Sequence, residues 1–110
     1  MVEDLNQLKG RVLKTDDLIA YQDGSIVSRM ITYTPHGTIT LFAFAAGSGL
    51  SEHTAPFDAV LQIVQGDAIV TLAGDPHMLK TGEMIILPAD IPHAVKAETP
   101  FKMILTMIHT

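Results

Sequence analysis

The apolar positions of this chain fall into short runs and alternations cut by turn residues. Residues Ser25 to Tyr33 are rich in β-branched side chains and lie between Asp23–Gly24 and Thr34–Pro35, which predicts a strand. Thr38 to Ala46 is apolar at nearly every position (Ile39, Leu41, Phe42, Ala43, Phe44), so one face is expected to line a barrel and the other an interface. Asp58 to Gln65, Asp67 to Ala73 and His77 to Leu79 follow as short strands, separated by Gly66 and a Gly74–Asp75–Pro76 tip. Within Asp67 to Ala73, Ala68, Val70 and Leu72 share one face, which should be buried. In Phe101 to Ile108, Phe101, Met103, Leu105 and Met107 oppose Lys102, Ile104 and Thr106. At the amino end, Leu5, Leu8, Val12 and Leu13 suggest a frayed helical turn and a short strand, and Thr15–Asp16–Asp17–Leu18 a capped single turn. Strands recurring at intervals of about eight to twelve residues indicate an all-β barrel or sandwich.

The stretch from Gly82 to His93 organises the rest. Gly82 permits a tight turn, Met84 to Leu87 is an apolar run too short for a helix and reads as a buried strand, and Pro88 ends it. Asp90 suits a turn, and Pro92 presets the backbone so that His93 opens the next segment at a defined angle. From His93 onward, the period of two puts Val95 and Ala97 on the histidine's face and Lys96 and Glu98 on the other, so the imidazole points inward.

The spacing Gly82, five residues, Pro88, one residue, Asp90, two residues, His93 resembles the second motif of the cupin superfamily, where the Asp90 position is usually glycine. Upstream, Gly47, five residues, His53 and then twelve residues to Gly66 resemble part of the first motif. The resemblance implies an all-β barrel of the double-stranded β-helix (jelly-roll) type, with His53 and His93 facing each other inside it. Two of the first motif's ligand positions fall on Ala55 and Ala59, so only His53 and His93 remain of the family's four metal ligands. As metal ligands, they would hold one divalent iron, manganese, nickel, copper or zinc ion with a third donor from Asp58, from Gln62 or from solvent. Without a metal, they are neutral, hydrogen-bonded groups in an apolar pocket, able to bind a ligand or relay a proton.

Phe42, Phe44 and Phe57, with Met30, Met84, Met103 and Met107, could wall such a pocket, although core packing is the commoner role of such residues. The expected ligand pocket is His53, His93, Gln62, Phe44, Phe57 and Met30. His36 lies at a turn tip, and His77 and His109 read as solvated. Gly47–Ser48–Gly49 reads as a mobile loop near the barrel entrance.

At 110 residues the chain makes one domain, read as an amino-terminal arm or first strand over 1–22 and a barrel over 23–110. Positive mean hydropathy (+0.30) suggests strands apolar on both faces or a buried subunit interface, hence a homodimer. The net charge of −5 with seven scattered Lys and Arg offers no footprint for nucleic acid or an anionic membrane. No cysteine is present, which removes disulfides and thiolate chemistry and agrees with a cytoplasmic location. There is no signal-peptide core, membrane-length apolar run, phosphate-binding glycine loop or nucleophile elbow. Three functions remain: a small-molecule-binding barrel, a metal-dependent oxygenase, isomerase or cyclase, and a non-catalytic accessory or regulatory dimer.

Overall fold

The computed structural model describes residues 4–109; residues 1–3 of the expected arm and residue 110 of the expected barrel lie outside the described residues. Among the described residues nine strands form: β1 (Ile26–Thr34), β2 (Gly37–Phe44), β3 (Gly49–His53), β4 (Ala59–Gln65), β5 (Ala68–Leu72), β6 (Asp75–Leu79), β7 (Met84–Leu87), β8 (His93–Lys96) and β9 (Phe101–Ile108). They build a five-stranded sheet, β1-β2-β9-β4-β7, and a four-stranded sheet, β3-β8-β5-β6, with every pair antiparallel. The expected jelly-roll barrel is the fold observed.

The two sheets bury their facing sides against each other. Ala59, Leu61 and Ile63 of β4, Ala68 and Val70 of β5, Leu87, Val95 and Met103 form one continuous core with Phe44 and Phe101. The rings of Phe44 and Phe101 stack at 4.5 Å between centroids, and both are fully buried. The β5–β6 hairpin turns at Ala73–Gly74, one residue earlier than expected. Both residues have positive φ (50° and 85°), as a type I′ turn requires.

One expectation about faces is corrected. Met84–Leu87 is a strand within the expected bounds but not a buried one. It is the edge of the larger sheet, so only one face can reach the core: Leu87 is buried, while Met84 and Ile86 are 57% and 59% exposed. Lys102, on the face opposite Phe101 and Met103, is only 6% exposed, because the amino-terminal arm lies over that face. Its Nζ donates to the Asp16 carbonyl at 3.1 Å and sits 5.0 Å from the Tyr21 ring centroid, a cation–π contact. Tyr21 in turn donates its hydroxyl to Gln65 Oε1 at 2.7 Å. Ile19 of the arm covers Leu41 and Ala43 of β2 in a second small apolar cluster.

Within the arm, a 3₁₀ turn at Leu5–Leu8 and a helical turn α1 (Thr15–Leu18) form where expected. The cap of α1 does not: its N-cap is Lys14, which makes no side-chain capping bond, so Thr15 lies inside the turn instead of before it. The short strand expected at Val12–Leu13 is absent, and Val12 is almost wholly exposed. Among the described residues, no helix is long and apolar enough to cross a membrane.

Candidate functional site

His93 is set in place by the turn before it. Asp90 has a φ of 64°, and its amide donates to the Ala55 carbonyl at 2.8 Å, tying this turn to the segment that leads into β4. A left-handed residue explains why glycine is usual at this position in the resembling motif; aspartate is among the few other residues that tolerate it. The Pro92 carbonyl then accepts from the Ala73 amide at 2.9 Å, so the strand that opens at His93 is anchored before it begins. Within β8, His93 and Val95 face inward and are buried, as the alternation predicts.

His53 arrives by a less regular route. In β3, Leu50 pairs with Val95 and His53 with His93, so Ser51 and Glu52 together oppose Ala94 alone. This is a β-bulge. In a regular strand Leu50 and His53 would point to opposite faces; the extra residue reverses the phase and brings both to the inner side. The segment before it is held as well: Gly47 N donates to Ala97 O at 2.7 Å, and Ala97 N to Ser48 O at 2.9 Å. The loop expected to be mobile is therefore bonded into the sheet edge.

The two imidazoles meet with Nε2 to Nε2 at 3.1 Å and ring centroids 4.3 Å apart, nearly edge to face. Each Nδ1 is turned to a carbonyl two residues back, His53 to Ser51 O at 2.8 Å and His93 to Ile91 O at 3.2 Å. His53 stands at the exposed end and His93 at the buried end of the pair, the latter 6% exposed. Burial pushes the pKa of His93 below that of a free histidine. The Ile91 carbonyl opposes the shift, and the neighbouring His53 adds to it.

The sign of the pH dependence follows. Because the folded pKa of His93 is depressed, the contribution is fully present above the unfolded value, near 6.5. As pH falls below that value, the unfolded chain takes up the proton first and stability declines toward the folded pKa. Denaturant midpoints measured from pH 7.5 to 5 are expected to fall, and His93→Gln to flatten that decline. An unchanged slope in His93→Gln would contradict the assignment.

Beside the pair lies a cavity of about 60 Å³, walled by Leu50, Ala55, Ala59, Leu61, Leu87, Val95, Met103, Leu105 and Met107, with His53 and His93 as its polar end. Of the expected pocket residues, only the two histidines line it. Phe44 is spent on the stack with Phe101. Gln62 lies on β4 between the inward Leu61 and Ile63, so it takes the outer face. Met30 is 39% exposed on the edge strand β1. Phe57 lines a separate cavity with Pro56, Asp58, Ala89 and Ile108, and its ring packs 4.5 Å from that of His109, which is half-buried and not fully solvated. Methionines 103 and 107 do reach the wall, whereas Met84 does not.

The donors available do not fit a resident metal ion. A catalytic transition-metal site is held by about three protein ligands, and among the described residues no group of three or more His, Cys, Asp or Glu could hold one. Ala55 and Ala59 bring no donor side chain to the cavity wall. The Asp58 carboxylate accepts from the Ala89 amide at 2.8 Å and faces the neighbouring cavity, and Gln62 points away.

Two antiparallel sheets closed around a paired-histidine pocket define a jelly-roll barrel of the cupin type. The family model described as the cupin domain matches residues 40–109, and the chain belongs to that family. It is similar to a conserved protein of unknown function from Streptococcus pyogenes, with 28% identity, a TM-score of 0.87, and coverage of 92% of this chain and 89% of that one. A cupin superfamily protein from Desulfitobacterium hafniense is 26% identical with a TM-score of 0.87, covering 93% and 94%. A cupin 2 conserved barrel domain protein from Leptotrichia buccalis is 39% identical with a TM-score of 0.81. That match takes in 84% of this chain but only 45% of the other, so this chain spans less than half of that relative. No curated protein matches the sequence.

Proposed function

We propose that the barrel binds a small organic molecule, its apolar body in the cavity and its polar head on the His53–His93 pair. The observation that carries this reading is the convergence of the two Nε2 atoms, 3.1 Å apart, at one end of a cavity whose other walls are aliphatic or thioether side chains. A few placed polar groups in an apolar concavity are what orient a bound ligand. The metalloenzyme alternative needs a third donor, and the geometry of Asp58 and Gln62 does not favour it.

The cavity is small enough to be closed by one side chain. Titrating isobutyramide into the protein should shift the methyl resonances of Met103, Met107 and Leu105. Ala59→Leu, which adds three carbons at the cavity wall, should weaken that binding at least about tenfold; overpacking itself costs about 1–3 kcal/mol, so Ala59→Val serves as the milder variant. Equal responses in wild type and both variants would place the ligand elsewhere and overturn the reading.

A further inference from the structure

The hydrogen-bond inventory of the histidine pair restricts the chemistry of that head group, given the ligand-binding reading above. A carbonyl oxygen can only accept, so the contact of His53 Nδ1 with Ser51 O and that of His93 Nδ1 with Ile91 O each require a proton on the ring nitrogen. The contact between the two Nε2 atoms requires one more. Two neutral imidazoles carry two N–H protons between them. Three contacts share two protons.

Whichever tautomers are chosen, a neutral pair leaves one contact with lone pair against lone pair. With both Nδ1 atoms protonated, the deficit falls on the Nε2 atoms, which then present two acceptors to the cavity. Nothing in the cavity wall supplies the missing proton: no Asp, Glu, Lys, Arg, Ser, Thr or Tyr lines it. His93 is buried, so charging that ring from solvent is opposed.

We infer that the natural ligand carries a hydrogen-bond donor, a hydroxyl or amide N–H, on a compact aliphatic body, and that this donor supplies the proton the His53–His93 pair lacks. The cavity of about 60 Å³ is small and lined by apolar side chains, so the part of the ligand inside it is compact. A carboxylate anion offers acceptors only. It would face the same lone pairs and enters only together with a proton, carried on the carboxyl or on one of the imidazoles.

Three probes of one shape separate these cases without any variant: isobutyramide, isobutanol and isobutyrate, titrated at pH 8 with the methyl resonances of Met103 and Met107 as readout. The amide and the alcohol should bind at least about tenfold more tightly than isobutyrate, the discrimination expected when a buried polar group is left unpaired. Calorimetry in buffers of different ionisation enthalpy adds the proton count. Isobutyrate binding that takes up one proton per site supports the inference, since the anion then binds only with the proton that the neutral pair lacks. Isobutyrate binding as tightly as the amide with no proton uptake overturns the donor requirement and leaves the pocket intact. Failure of all three probes at millimolar concentration overturns the ligand-binding reading together with it.

Discussion

Truncation of Phe101 to alanine is expected to cost about 3–5 kcal/mol, the range for a fully buried phenylalanine that leaves a cavity behind. The ring has no solvent exposure and stacks on Phe44 at 4.5 Å, joining β9 to β2, next to it in the larger sheet. Neighbouring side chains cannot close the gap cheaply: Phe44, Leu61, Ile63 and Met103 are themselves fully buried in the core. Against a total stability of about 5–15 kcal/mol for a domain of this kind, the loss takes a large share. Equilibrium unfolding in denaturant measures it directly, and a loss below about 1 kcal/mol would contradict the packing described.

Gly49→Ala should damage both stability and site. A Cβ built on Gly49 would stand 2.6 Å from Val95 O and 3.4 Å from Lys96 Cα, both backbone atoms of the paired strand β8. No rotamer change relieves a backbone contact, so β3 must move away from β8, at a cost of about 1–3 kcal/mol. The same displacement is carried four residues along β3 to His53, whose Nε2 has to stay within 3.1 Å of His93. Lower thermal stability and weaker isobutyramide binding are expected together. Glu52→Ala, an exposed change in the same strand, should leave stability within about 0.5 kcal/mol. Wild-type binding by Gly49→Ala would mean that the β3–β8 pairing does not hold the pair.

The sequence spoke clearly where local chemistry and packing agree. The bounds of Met84–Leu87 and Phe101–Ile108, the inward face of His93 and the burial of Ala68 and Val70 all follow from a period of two interrupted by proline and glycine. What escaped it was set by position in the sheet or by distant chain. Met84 and Ile86 look like core residues until β7 is known to be an edge. The burial of Lys102 has no cause within its own strand: Asp16 and Tyr21, about eighty residues earlier in sequence, lie over it.

The site divides in the same way. The pairing of His53 with His93 was legible from two motif fragments, but the bulge at Ser51–Glu52 that turns His53 inward has no signature in the residues themselves. The cavity walls were largely missed, because Phe44 and Phe57 attract attention as large apolar groups, whereas the space is made by small ones. Ala55 and Ala59 stand at two ligand positions of the resembling motif. The length of their side chains was the signal that the volume beside the histidines is open.

The proposed binding site is a histidine pair with no third protein donor for a metal ion among the described residues. Elemental analysis of tag-free protein, purified without chelators and then incubated with iron, manganese, nickel, copper or zinc and desalted, tests this most directly. Far less than one metal ion per chain is expected in every case, since two imidazole nitrogens without a third protein donor hold such an ion weakly. A ratio near one for any of these metals, lost in His53→Gln and His93→Gln, would contradict the account and return the pocket to the metal-dependent enzymes.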